Sequence, residues 1–145
     1  FIICLCFLNG CKKDKLKDEK NILVGKWEWT SSSATINLCN PPTSDIVITP
    51  FTENVDYSIE FQEKGKVIFY TNDVETEKYR IAFTSWTISD YVEPYDYMFY
   101  IDLNNDEDKS MYGVVKQDSL LIFNSFHPFY NGGDCDYYWN RFVKE

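Results

Sequence analysis

Short runs of alternating apolar and polar residues follow one another along most of this chain, with turn-forming residues between them about every 8–12 positions. Gly25–Thr30 and Tyr57–Phe61 show the two-residue period clearly. No segment sustains the 3.6-residue period of an amphipathic helix. The pattern predicts about eight short antiparallel strands. They are expected over residues 25–30, 57–61, 67–70, 79–83, 97–101, 112–115, 120–123 and 137–143, and a short further strand over 86–89 stays open.

The composition of the chain favours the same fold class. Aromatic residues make up 18% of the sequence, and their side chains suit a pleated, half-buried surface. Alanine, a main component of long helices, is nearly absent. Such strands form either a sandwich or a barrel, and closure into a barrel removes exposed sheet edges. We therefore predict one all-β domain, a small antiparallel up-and-down β-barrel of about eight strands.

The first eleven residues resemble the signal segment of bacterial lipoproteins. Phe1–Leu8 is an uncharged apolar run, too short for a bilayer span of about 20 residues. Leu8-Asn9-Gly10-Cys11 resembles the lipobox, in which small residues precede the cysteine that receives the lipid. The resemblance implies a signal peptide at residues 1–10 and an acylated Cys11. A signal peptide without lipidation, or a buried apolar strand, is the alternative.

The same resemblance implies a tether and a location. Residues 11–22 would carry the lipid and a charged tether that is too polar to order itself, and the domain would cover residues 23–145. Lysine directly after the acylated cysteine resembles the sorting signal of outer-membrane lipoproteins. We expect a monomeric lipoprotein in the cell envelope, bound to the outer membrane through its lipid. The periplasmic and the surface-exposed face both stay open.

The cysteine count predicts one disulfide. Cys4 and Cys6 would leave with the signal peptide and Cys11 would carry the lipid, so Cys39 and Cys135 remain as an even pair. A bridge between them would close a long loop and stabilise the fold by about 4–5 kcal/mol in the chain-entropy model. Two separate thiols are the alternative.

Charge and motifs exclude several functions. A net charge of −9 disfavours nucleic-acid binding and attraction of the domain body to anionic membranes. The sequence holds no hydrolase, metalloprotease or phosphate-loop motif, and His127 is its one histidine. We expect no enzyme activity, cofactor or metal. Residues 102–108 alternate oxygen-bearing side chains but lack the glycine of an EF-hand loop, so an acidic turn is expected there and calcium binding stays open.

Both ends of the predicted domain resemble lipocalin-like lipoproteins of the Bacteroidetes type. Asn21–Trp27 resembles their Gly-x-Trp opening strand, Tyr138–Phe142 their closing strand, and Gln117–Leu120 the turn of their penultimate hairpin. The resemblance implies that Gly25 permits a tight entry into the barrel and that Trp27 plugs one end. It also implies that Arg141 lies over Trp27 in a cation–π contact of about 0.5–2 kcal/mol.

Two functions fit this architecture. The first is an anchored binding protein that holds a small apolar or amphipathic ligand inside the barrel. The second is an interaction module with a packed core that contacts a glycan or a protein through its loops. A barrel of this size allows either. The candidate ligand-binding residues are all aromatic: Tyr57, Phe61, Phe69, Phe83, Phe99, Phe126, Phe129 and Tyr130.

Overall fold

The computed structural model describes residues 15–34, 46–88, 95–104, 106–123 and 138–145. In this part of the chain nearly all regular structure is antiparallel β. The elements in order are a 3-10 helix (Asp18–Leu23), β1 (Gly25–Ala34), β2 (Ile46–Ile48), α1 (Pro50–Glu53), β3 (Tyr57–Gln62), β4 (Lys66–Thr71), β5 (Val74–Ile88), β6 (Tyr97–Leu103), β7 (Asp106–Lys116), β8 (Ser119–Phe123) and β9 (Tyr138–Lys144).

Strands β1 and β3–β9 close into an eight-stranded barrel, which confirms the predicted fold class. Neighbours in the sheet are neighbours in sequence from β3 to β9, and β9 returns to pair with β1. One edge of β1 pairs with β9 from Trp27 to Ala34. Its other edge pairs first with β3 and then with the short β2. β2 is therefore an extension beside β1 and not a member of the closed ring.

Two predicted boundaries differ from the structure. The segment 86–89 is not a separate strand, because β5 runs without interruption from Val74 to Ile88 through an irregularity between Phe83 and Ser85. The acidic turn expected from Asn104 is short, since β7 already begins at Asp106. Asn104 takes a left-handed conformation with φ 56°, which a short asparagine side chain tolerates.

Large inward side chains fill the end of the barrel that carries Trp27. Trp27 and Phe99 expose 0% of their surface and Phe61 exposes 1%. A side chain with no exposed surface lines no space large enough for a water molecule. Other inward residues of the same core expose no surface either: Val67, Ile81, Ile101, Leu103, Met111 and Val115.

Residues 15–24 cover this same end of the barrel. Leu16 and Leu23 are buried in the core, and the Leu16 amide donates to the Glu63 carbonyl in the β3–β4 turn at 3.1 Å. The expectation of a polar tether up to residue 22 is therefore wrong from Lys15 onward. The reason is physical: apolar side chains within the charged run gain more from burial here than the segment loses in chain entropy. We call this the helix-covered end, and the opposite end, with the β4–β5 turn, the far end.

The cation over Trp27 is Lys144, and the prediction that Arg141 lies there is wrong. The Lys144 Nζ lies 5.2 Å from the Trp27 ring centroid and donates to the Ile22 carbonyl at 3.0 Å. Side chains alternate along a strand, so Phe142 and Lys144 face inward while Arg141 faces solvent. Burial lowers the pKa of Lys144. The Trp27 indole completes the closure by donating to the Leu23 carbonyl at 2.7 Å.

Two glycines let other groups approach closely. Gly25 has φ +125°, a conformation that side chains rarely adopt, and this agrees with the expected tight entry into β1. At Gly113 an added Cβ would lie 2.7 Å from both Phe99 Cζ and the Leu121 carbonyl oxygen. The missing side chain is therefore what allows the Phe99 ring to lie against β7.

Replacing Lys144 and Arg141 tests the corrected closure. Lys144→Met should lower the free energy of unfolding by about 1–2 kcal/mol, because the cation–π contact and the bond to Ile22 are lost together. Arg141→Met is the matched control and should change it by less than about 0.5 kcal/mol, as solvent-facing substitutions do. Urea denaturation measures both, and a larger loss for Arg141→Met would contradict the assignment.

Candidate functional site

The structure places the predicted ligand-binding aromatics that it describes in three separate regions. Phe61 and Phe99 lie in the packed core. Phe83 lies at the helix-covered end, where the Lys20 Nζ is 4.5 Å from its ring centroid. Tyr57 and Phe69 are half-buried and lie nearer the far end. These five aromatics therefore do not line one common pocket.

Several other predicted residues lie outside the described part of the chain. They include the lipidation site Cys11 and the two cysteines of the expected disulfide, Cys39 and Cys135. The aromatic candidates Phe126, Phe129 and Tyr130 lie there as well, as does the signal peptide at residues 1–10. All of these stay predictions.

A buried chain of hydrogen bonds links the neighbouring strands β1, β9 and β8 nearer the far end. The Trp29 indole donates to the Ser32 hydroxyl at 2.8 Å, and that hydroxyl donates to Asn140 Oδ1 at 2.5 Å. The Asn140 amide in turn reaches the Ile122 carbonyl at 3.5 Å. Ser32 and Asn140 are buried, and their partners offset the cost of removing them from water. The chain joins β1 to β9 just beyond the irregularity between Trp29 and Ser31.

An inward-facing carboxylate lies above the core. Trp27, Ile59, Phe69 and Glu77 are cross-strand partners in one row, and partners in a row share a face of the sheet. Glu77 therefore faces the barrel axis, although it is exposed to solvent. The Tyr79 hydroxyl donates to its carboxylate, and the Tyr79 and Phe69 rings meet edge to face at 5.9 Å.

Negative charge near these tyrosines opposes their ionisation. The hydrogen bond to Glu77, with burial and the charge of Glu77, raises the pKa of Tyr79 to about 12. Burial and the charge of Glu53 raise the pKa of Tyr57, against a smaller opposite effect of its hydrogen bond with Thr71. Tyr57 and Tyr79 are therefore neutral hydrogen-bonding groups beside carboxylates.

The clearest cavity in this region is a cleft of about 300 Å³ beside the line where β1 leaves β3. Pockets of this volume are at the small end of those that hold ligands. Ser58, only 7% exposed, is its most buried polar residue. We call this cavity the side cleft; its lining residues are Lys26, Glu28, Trp29, Asp56, Tyr57, Ser58 and Asp73.

The side cleft carries an excess of negative charge. Lys26 is its one cation, and it is shared by Asp73 at 3.3 Å and Glu145 at 3.5 Å. Partial desolvation works to lower the pKa of Lys26, but the bond to Asp73 and the charges of Glu145 and Asp73 outweigh it and raise the pKa. Glu28 and Asp56 make no ion pair among the described residues. The cleft can therefore accept hydrogen bonds and favour a cation.

Much of the acidic segment 102–108 lies in strands. Asp102 lies within β6 and accepts a hydrogen bond from the Thr84 hydroxyl at 2.9 Å. Asp106 already belongs to β7. Across the described residues, no group of three or more acidic, histidine or cysteine side chains is placed to hold a metal ion. No helix in the described ranges is long and apolar enough to cross a membrane.

The chain matches no known family model, no curated protein and no solved structure. The site is therefore interpreted from its own residues.

Sequence analysis did not find Ser32, Asn140, Glu77 or the side cleft. Counting by twos from Ile81 along β5 and from Phe142 along β9 would have placed Glu77, Asn140 and Lys144 on the inward face, because the strand period carries that information. The side cleft has no such signal. It exists because Lys26 meets Asp73, and that contact depends on the folded barrel.

Tyrosine titration tests the carboxylate beside Tyr79. Because the folded-state pKa of Tyr79 is above the unfolded value of 10.0, the bond to Glu77 stabilises the fold below pH 10 and that contribution is lost as the pH rises toward about 12. Glu77→Gln should let one tyrosine ionise earlier in an absorbance titration. Glu60→Gln is the matched comparison. The hydrogen bond to Glu60 raises the pKa of Tyr70 to about 12, so this variant should let Tyr70 ionise at a lower pH. Unchanged titrations would contradict these contacts.

A double-mutant cycle tests the buried polar chain. Asn140→Ala and Ser32→Ala should each lower the free energy of unfolding by about 1–3 kcal/mol, because each leaves a buried donor without its acceptor. The double variant should lose less than the sum, by at least about 0.5 kcal/mol. Ser33→Ala, one residue along the strand, serves as the near-neutral control. Additive losses would show that the two side chains do not act together.

Proposed function

We propose that this chain is a lipid-anchored binding protein of the cell envelope, with lipocalin-like architecture and a polar ligand at the side cleft. The observation that carries the proposal is the contrast between two regions. The inward residues around Trp27 expose almost no surface, whereas the side cleft offers about 300 Å³ lined by polar side chains, among them that of Ser58. The barrel then acts as a rigid support, and binding takes place on its side.

The chemistry of the side cleft favours a glycan that carries amino groups. Carboxylates such as Glu28 and Asp56 accept hydrogen bonds from sugar hydroxyls and attract an ammonium group. The Ser58 hydroxyl can donate to or accept from the same ligand. Trp29 and Tyr57, whose rings meet edge to face at 5.8 Å, lie beside these groups. Aromatic and carboxylate groups together suit a polar ligand better than an apolar one.

The lipid anchor rests on the lipobox resemblance, and the lipocalin-like assignment rests on the ends of the domain. The closed eight-stranded barrel, the buried Trp27 and the cation of the last strand over it agree with that resemblance. The cation is Lys144 where the resemblance implied Arg141, but the contact is of the same kind. The fold is compatible with a rigid scaffold that carries a ligand site, but a fold alone does not identify the ligand.

A container for a small amphipathic molecule is the second candidate. It is favoured by the half-buried side chains that face inward nearer the far end, namely Tyr57, Phe69 and Tyr79. Such a ligand would lie inside the barrel, between the packed core and the far end. It would contact Glu77, so it too would carry a polar or cationic group.

Isothermal titration with glucosamine oligomers tests the side cleft. The amino oligomer should bind more tightly than its N-acetylated counterpart, because acetylation removes the positive charge. Asp56→Asn should weaken binding about tenfold or more, as loss of a charge-assisted hydrogen bond does. Glu19→Gln, on the 3-10 helix, is the control and should leave the affinity unchanged. Equal affinity of Asp56→Asn and the unaltered protein would exclude the side cleft as the site.

A further inference from the structure

We infer that the helix-covered end of the barrel is the face that lies against the membrane, where its lysines bind the phosphates of lipid headgroups. The inference rests on the proposed lipid anchor at Cys11 and goes beyond it, because an anchor alone does not orient a domain. It commits the molecule to one arrangement, with the side cleft and the far end turned toward solvent.

The length of chain between the anchor and the barrel is the first reason. Lys15 is four residues after Cys11, and four residues span at most about 14 Å when fully extended. Lys15 cannot move away from the barrel, since the next residue, Leu16, is only 2% exposed and its amide is bonded to Glu63. The acylated cysteine must therefore stay within about 14 Å of the helix-covered end.

The distribution of charge is the second reason. The chain is strongly acidic overall, yet five of its fourteen basic residues fall within residues 12–20, against three carboxylates. Lys64, on the β3–β4 turn, adds to them at the same end. The far end has the opposite character, because its exposed carboxylates outnumber the two lysines that pair with them, Lys78 with Glu75 and Lys26 with Asp73. These carboxylates are Glu53, Asp56, Asp73, Glu75 and Glu77. An anionic surface attracts the first end and repels the second.

A concave surface at the helix-covered end is the third reason. A cavity of about 600 Å³ lies between the start of the described chain and the β3–β4 turn. Lys15, Lys17 and Lys64 line it and are exposed, and Asp18 and Glu63 lie beside them. Exposed ammonium groups around a concavity suit the phosphate of a phospholipid headgroup.

Lysine labelling of the acylated full-length chain in vesicles tests the orientation. The vesicles are phosphatidylcholine alone, or phosphatidylcholine mixed equally with phosphatidylglycerol, and detergent micelles are the reference. The protein reacts briefly with a water-soluble, amine-reactive reagent, and mass spectrometry measures the labelling of each lysine. In the mixed vesicles Lys15, Lys17 and Lys64 should be labelled several-fold less than in micelles, while Lys78 keeps its reactivity. The difference should be smaller in phosphatidylcholine alone.

A charge-reversal variant separates orientation from anchoring. Lys17→Glu combined with Lys64→Glu should still sediment with vesicles, because the lipid holds it, but Lys15 should become as reactive as it is in micelles. Lys78→Glu is the matched control and should leave the protection of Lys15 intact.

The possible failures can be told apart. Equal labelling of Lys17, Lys64 and Lys78 on protein that sediments with vesicles would overturn the inferred orientation and leave the anchor standing. Sedimentation of Cys11→Ala equal to that of the unaltered chain would instead contradict the lipid anchor, and the inference would fall with it.

Discussion

Closing the barrel brings β1 against β9, the first and last strands of the described chain, and leaves one end of the cylinder to be filled by Trp27. The indole donates to Leu23, and Lys144 lies over the ring while it donates to Ile22. One aromatic side chain thus joins the N-terminal helix, the first strand and the last strand. The packing of the core, the position of Leu16 and the two unlike ends of the molecule all follow from this closure.

Local pattern predicted the fold class well because a two-residue period reports which face of a strand is buried. It also placed Trp27 correctly in the core. The pattern did not predict contacts between residues that are far apart in the sequence. Leu16 looked like one apolar residue in a charged tether, and only the β3–β4 turn gives it somewhere to be buried. The side cleft depends in the same way on the meeting of Lys26 and Asp73, which are far apart in sequence.

The two ends of the barrel differ in packing as well as in charge. Around Trp27 the interior is closed by side chains and by residues 15–24, whereas nearer the far end the inward positions become polar at Ser32, Asn140 and Glu77. The tightly packed end leaves no space for a ligand, so it suits attachment of the domain to the membrane. The polar side cleft suits recognition. The proposed orientation on the membrane would leave that cleft facing solvent, where a glycan can reach it.

Native mass spectrometry of the acylated chain, extracted gently from the envelope of its own type of host, tests the packed-support account most directly. The account predicts the mass of the lipidated protein alone, with one added mass on addition of glucosamine oligomers and none with Asp56→Asn. A small apolar molecule that stays with the protein until it unfolds would contradict it, because such a ligand would have to occupy the barrel interior.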